Sequence, residues 1–180
     1  FQLQLPADFR AEEVLAYHGR DKDGPAERRI GEQRLVKTAL LDGQAVVLDL
    51  AFDQGGVDCR VIAQKKVSPT AMAEAHRILL RMIGLNSDAT AFEARGRRDT
   101  AIRRLTATQP GLRIPLTPTL FEAVAWAIIG QQINLAFATA LRRDLIELAG
   151  RKVPSAGDMR LHPDAAAIAD LDPGDLTSRR

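Results

Sequence analysis

The 180-residue sequence has one cysteine, Cys59, and three widely spaced histidines, His18, His76 and His162. A single thiol excludes an intrachain disulfide and any cysteine-built zinc or iron–sulfur centre. The histidines show no ligand spacing, so no metal site is expected. Aromatic residues make up only 4% of the chain, with one tryptophan and one tyrosine. No apolar run approaches the roughly 20 residues that a membrane-spanning helix needs, and no secretory signal pattern opens the sequence. No membrane partner is therefore expected, and the cysteine usage fits a reducing cytoplasm. A charge excess is also missing, because 25 Lys and Arg against 23 Asp and Glu leave a net +2. A strongly basic chain would point to nucleic acid; this one barely leans that way. Arginine is dense only at Arg95, Arg97, Arg98, Arg103 and Arg104, which on charge alone reads as a solvated helix face.

What is present is enough for a packed core. Hydrophobic residues are 46% and charged residues 27%, which suits one ordinary domain or two small ones. The first part alternates. Phe1–Leu5 reads as a strand stopped by Pro6, and Asp8 is placed to cap a short helix running to about His18. After the polar loop Arg20–Pro25, three strand candidates follow: Arg34–Leu41, Gln44–Phe52 and Val57–Ala63. Asp42-Gly43 is a two-residue hairpin signal between the first two. In the second, Val46, Leu48, Leu50 and Phe52 share one face and Asp49 lies on the other. The expectation is an antiparallel meander with one face to cover. Ser68-Pro69 starts a helix whose Met72, His76, Leu79 and Ile83 form the stripe that would cover it. His76 then reads as a packed, hydrogen-bonded histidine.

From residue 88 every element reads helical, so the expected division is residues 1–88 as an α+β unit and 89–180 as an all-α unit. Asp88 caps a helix through Arg95, and another runs from about Thr100 to Ala107. Gln109–Pro115 is a turn and extended connector. Thr119 and Glu122 form a capping box for a helix to Gly130 with Phe121, Val124, Ala125, Ile128 and Ile129 inward. Asn134 caps the next helix, with Ala138, Leu141, Leu145 and Leu148 inward and Gly150 closing it. Pro163 and Pro173 open short helical pieces, and Leu176–Arg180 reads as a further helix start.

The stretch Gln109–Leu141, QPGLRIPLTPTLFEAVAWAIIGQQINLAFATAL, resembles the opening of the DNA-3-methyladenine glycosylase II family, within the helix–hairpin–helix DNA glycosylase superfamily. The resemblance lies in Pro110-Gly111-Leu112-Arg113, Ile129-Gly130-Gln131-Gln132 and the small-residue helix from Asn134. It implies an N-terminal antiparallel β-sheet domain with a covering helix, followed by the first helices of an all-α helix–hairpin–helix glycosylase domain. It also implies base-excision repair: hydrolysis of the N-glycosidic bond of an alkylated purine in damaged double-stranded DNA, in the cytoplasm of a bacterium, without a cofactor. Gly130 is expected to let the backbone turn sharply, with Gln131 and Gln132 at the surface against DNA. Gln132 matches the residue that fills the gap left by a flipped nucleotide; a turn glutamine without a DNA role is the plainer reading. Tyr17 would line the base pocket, where an aromatic face attracts a cationic base, or merely pack its ring. Trp126 reads as a packing residue.

The family's Gly-rich hairpin and catalytic aspartate find no match here. None of Asp158, Asp164, Asp170, Asp172 and Asp175 has the matching context, so no catalytic residue is assigned. The aspartate is expected beyond Arg180, the chain alone is expected to be inactive, and its uncovered helical half is expected to self-associate. An oxoguanine-type glycosylase and a non-catalytic DNA-binding or scaffold module remain as alternatives.

Overall fold

The computed structural model describes residues 1–177. Five antiparallel strands form one sheet in the order β1-β5-β4-β3-β2: β1 Gln2–Gln4, β2 Glu27–Ile30, β3 Arg34–Leu41, β4 Gln44–Phe52 and β5 Gly56–Ala63. Asp42 and Gly43 adopt φ of 46° and 73°, the paired left-handed conformation of a tight hairpin turn, and set the register Leu41↔Gln44 through Arg34↔Ala51. β2 was not anticipated. Its segment Glu-Arg-Arg-Ile has little strand character, and pairing with β3 makes it a strand.

Helix α1 (Ala11–His18) and helix α2 (Pro69–Met82) cover one face of the sheet. Val14, Leu15, Leu48, Leu50, Cys59, Leu79 and Met82 form the centre of this core. Burial pushes the Cys59 thiol up to about 12, which leaves it unreactive. Ser68 caps α2, accepting from the Ala71 amide at 3.0 Å, with Pro69 in the first helical position. The stripe of α2 is rotated from the expected one. Ala71, Ala75, Ile78, Leu79 and Met82 face the sheet and Met72 is exposed. The two alanines let the helix lie close to the strands. His76 packs its ring on Phe1, 5.5 Å between centroids. Asp8 does not cap α1, whose N-cap is Arg10 without a side-chain hydrogen bond. Its carboxylate instead lies 3.6 Å from Arg113.

The second face is covered as well. Val36 and Val47 pack against Val153 and Leu161, Thr38 Oγ1 donates to the Arg160 carbonyl at 2.7 Å, and Asp49 is buried between Arg34 and Arg60. The one-sided meander is thus corrected to a sheet covered on both sides.

The remaining helices are α3 Ala89–Gly96, α4 Arg103–Thr108, α5 Leu120–Ile129, α6 Leu135–Ala149, α7 Ala165–Ala169 and α8 Pro173–Thr177. Among the described residues after 88 there is no strand, only a bridge Lys152↔Arg160. The architecture is α+β. Helix α4 starts later than expected because Asp99 first turns the chain, accepting from the Ala101 amide at 2.8 Å. Helix α8 begins at Pro173 as expected, whereas α7 begins at Ala165 with Asp164 as its cap rather than at Pro163; the further helix start expected at Leu176–Arg180 runs into Ser178–Arg180, which lie outside the described residues. Gly111, at φ 73°, leaves no room for a side chain, since a Cβ there would meet the Asp8 carbonyl. Among the described residues no helix is long and apolar enough to cross a membrane.

Candidate functional site

Helix α5, the turn Gly130–Ile133 and helix α6 present the residues singled out in the sequence. Thr119 Oγ1 accepts from the Glu122 amide at 3.1 Å to start α5, and Asn134 Oδ1 accepts from the Phe137 amide at 2.9 Å to start α6. Between them Gly130 stays right-handed at φ −77°, its amide donating to the Trp126 carbonyl at 2.9 Å. The sharp reversal falls on Gln132, at φ 61°. This corrects the expectation that glycine makes the turn. A non-glycine residue in the left-handed region costs about 1–2 kcal/mol, and the Gln132 side chain is exposed. Gln131 is exposed beside it.

Buried charges fix the helices that carry the turn. Lys37 lies on the face of β3 that also bears Leu35 and Ala39, and it is completely buried. Its Nζ donates to Glu122 Oε2 at 2.8 Å and lies 3.8 Å from Glu27 Oε2. Arg142, in the middle of α6, reaches Glu27 Oε1 at 3.3 Å and Glu122 Oε2 at 3.7 Å. His18 adds a contact from Nδ1 to Glu27 Oε2 at 3.4 Å, and its Nε2 meets the Met82 carbonyl at 2.9 Å. Burial by itself would raise the Glu27 carboxyl, but Lys37, the His18 hydrogen bond and Arg142 outweigh it and hold the group well below the ordinary carboxylate range. Lys37 and Arg142 thus face Glu27 and Glu122 in a water-poor space between β2, β3, α5 and α6, and Arg20 reaches Glu27 Oε1 from its edge at 3.9 Å.

This network revises the reading of both helices. Glu122 makes no capping box, because its side chain points to Lys37 rather than back to the N-cap. It is the buried residue of α5, while Val124 and Ile128 are exposed. On α6 the buried residues are Ala138, Arg142 and Ile146. The expected Leu141, Leu145 and Leu148 border a recess of about 180 Å³ with Ile129 and Leu176. Ion pairing has turned each helix so that a charged side chain faces inward.

Tyr17 lies half-buried at the end of α1. The guanidinium of Arg20 stands 4.4 Å from the Tyr17 ring centroid and 4.8 Å from that of Trp126. A cation between two rings joins α1 to the last turn of α5, whose Trp126 carbonyl also holds Gly130. Trp126 therefore carries a cation contact that the sequence reading missed, as it missed Arg20. His162 faces the same helix, edge-on to Phe121 at 6.3 Å. Its Nδ1 donates to the Pro163 carbonyl at 2.8 Å, its buried Nε2 has no hydrogen-bond partner among the described residues, and burial lowers its pKa.

The late aspartates have structural duties. Asp158 forms a two-pronged pair with Arg28 at 3.0 and 2.8 Å. Asp164 caps α7 through the Ala167 amide at 2.8 Å, and Asp172 accepts from the Gly174 amide at 2.8 Å. Asp170 sits at the C-terminal cap of α7.

No protein-family model matches the chain. Over 149 residues it is 30% identical to a DNA-3-methyladenine glycosylase of Bacillus subtilis (strain 168), covering 82% of this chain and 46% of that protein. Its fold superposes on a 3-methyladenine DNA-glycosylase from Archaeoglobus fulgidus with a TM-score of 0.83 at 19% identity, over 99% of this chain and 61% of the other. An 8-oxoguanine glycosylase/lyase from Clostridium acetobutylicum superposes with 0.69 at 14% identity, over 98% and 56%. At these identities the structural likenesses speak for a shared fold. The chain spans about half the length of the curated relative it matches.

Proposed function

We propose, for a chain that belongs to the DNA-3-methyladenine glycosylase family, a part in base-excision repair: the protein removes alkylated purines from duplex DNA by hydrolysing the N-glycosidic bond. The observation that carries this reading is the 30% identity running through 149 residues. The exposed, left-handed Gln132 between two capped helices supports it, because strain at a surface turn is often kept for a function. In this proposal Gln132 enters the gap left when the damaged nucleotide is flipped out, with Gln131 and Gly130 against the neighbouring backbone. Glutamine fills space and offers hydrogen bonds to the orphaned base, though it stacks less well than an apolar wedge. Tyr17 belongs to the base pocket, with Arg20 resting on its ring until a cationic base competes for it.

The chemistry asks for a carboxylate to stabilise an oxocarbenium-like sugar and to orient water. Among the described residues no aspartate is assigned that part, and this chain contributes binding and positioning. The division at about residue 88 belongs to the same proposal, with residues 153–161 crossing back to pack on the sheet.

An oxoguanine-type activity is the second reading, favoured by the fold match to the Clostridium acetobutylicum enzyme. The test is base release by the full-length protein from duplexes carrying methylated purines and from duplexes carrying 8-oxoguanine. Preferential release of methylated purines is expected. Release of 8-oxoguanine alone sinks the alkylpurine reading, and binding without any release leaves a DNA-binding module.

A further inference from the structure

Residues 95–104 contain five arginines, Arg95, Arg97, Arg98, Arg103 and Arg104, and one acid, Asp99. That is a charge of +4 within ten residues, whereas the whole 180-residue chain carries +2. These residues form the tip of a helical hairpin. Arg95 lies in the last turn of α3, Arg97 and Arg98 follow it, and Arg103 and Arg104 open α4. The two helices cross closely at Gly96, where a Cβ would lie 2.6 Å from Thr106 Cγ2. The arginines are therefore gathered on one small, compact projection.

All five are exposed, and among the described residues none forms an ion pair. Several arginines elsewhere on the surface are paired: Arg28 with Asp158, Arg29 with Glu12, and Arg34 and Arg60 with Asp49. The acids nearest the tip are committed elsewhere. Asp99 Oδ1 accepts from the Ala101 amide at 2.8 Å, and Glu93 Oε1 accepts from the Gly111 amide at 3.1 Å and from Arg113 at 3.2 Å. Like charges this close repel one another, and within the segment Asp99 offsets one of the five.

We propose that the α3–α4 tip is a contact for the phosphate backbone of duplex DNA, separate from the Gly130–Gln132 turn. The choice of duplex DNA as the polyanion rests on the glycosylase reading above. Guanidinium forks match phosphate oxygens, and a row of phosphates accepts five such groups without specific base contacts. The tip itself has no aromatic side chain of the kind that anchors protein partners, and phosphate contact needs none. Gly111 and Arg113, which bind Glu93 of α3, lie against Asp8 before α1 begins, while Trp126 meets Arg20 beyond that helix's far end. In this proposal the tip supplies affinity that is blind to the lesion.

The test uses the full-length protein and fluorescein-labelled duplexes, one undamaged and one with an abasic-site analogue, titrated by anisotropy across a series of NaCl concentrations. A variant with all five arginines changed to glutamine is compared with wild type. A charge-matched control has Lys65, Lys66, Arg77, Arg151 and Lys152, all exposed, changed to glutamine. The expected result is a shallower plot of log affinity against log salt for the arginine variant, by roughly 0.9 for each phosphate that the variant no longer neutralises. Affinity at low salt should fall tenfold or more on both duplexes, and the control should stay near wild type. Equal slopes for the arginine variant and wild type, or an equal loss in the control, overturn the proposal. Circular dichroism melts check that the variant is folded; if it is not, Arg97→Gln with Arg98→Gln and Arg103→Gln with Arg104→Gln are read separately. Should wild type bind both duplexes alike and release no base, the glycosylase reading falls. The slope on undamaged duplex still decides the tip.

Discussion

Lys37 Nζ and Glu122 Oε2 meet at 2.8 Å with both side chains buried, and this contact ties the central region of the sheet to the first turn of α5. It sits beside a second bond across the same gap, Arg142 to Glu27 at 3.3 Å. Together they set where α5 and α6, and the turn between them, stand above the strands.

Removing one partner leaves the buried network one charge out of balance. Glu122→Leu and Lys37→Met should each destabilise the chain by about 3–5 kcal/mol, whereas the pair Lys37→Met with Glu122→Leu should recover much of the loss. Urea melts of the two singles and the double form the cycle. Additive losses would show that the two charges do not act as a pair.

Two windows of pH sensitivity are expected. Burial holds His162 below its ordinary 6.5, so its contribution to stability is full above that value and is lost as pH falls through the lowered folded value. Glu27 is held below the ordinary carboxylate range, so its contribution persists through mild acid and goes only when pH falls well below that range. Melting temperatures of wild type and His162→Gln between about pH 8 and pH 5 separate them. The wild type should lose stability toward the acid end and the variant should lose less. Parallel curves would remove His162 from the first window.

At Gln132 the backbone and the side chain have opposite interests. Gln132→Gly relieves a left-handed residue worth about 1–2 kcal/mol but loosens the unfolded chain, so stability should change by less than about 1 kcal/mol. In the full-length protein, Gln132→Gly and Gln132→Ala should both weaken binding to abasic-analogue duplex and slow base release. Unchanged affinity and single-turnover rate would leave Gln132 as a turn residue only.

Tyr17 can be tested through the charge of the base. A cation–π contact is worth about 0.5–2 kcal/mol. Tyr17→Ala should therefore slow excision of cationic methylated purines more than excision of a neutral purine lesion, by about 2- to 30-fold. Equal losses would mean that the ring serves only to hold Arg20 against Trp126.

The 180-residue chain alone should release no base from alkylated duplex, because Asp158 pairs with Arg28 and Asp164 and Asp172 accept from helix-start amides instead. It should also self-associate. Leu120, Ile128 and Leu135 are 74%, 63% and 61% exposed on α5 and α6, an apolar surface that water disfavours. Sedimentation of wild type against Leu120→Lys with Ile128→Glu measures this. A monomeric wild type, or base release above a no-protein control, would defeat the respective expectation.

Local rules were enough for much of this molecule. Alternation placed β3, β4 and β5, and Asp42-Gly43 placed the hairpin. Ser68, Asp88, Thr119 and Asn134 placed the starts of α2, α3, α5 and α6, since each side chain accepts from an amide three residues on. Such signals are legible because donor and acceptor are close in sequence. The motif Ile129-Gly130-Gln131-Gln132 likewise marks the turn from sequence alone.

Tertiary structure decided what depended on distant partners. Glu27–Ile30 is a strand only because β3 lies beside it. Glu122 looks like a capping acid until Lys37, 85 residues away, draws it inward, and Arg142 looks like the polar face of α6 until Glu27 does the same. Periodicity ranks side chains by hydrophobicity, so it cannot identify a charged residue whose burial is offset by an opposite charge elsewhere in the chain. The left-handed Gln132 escaped for a related reason. A local preference assigns that conformation to glycine, and only the fixed positions of α5 and α6 pass it two residues further on.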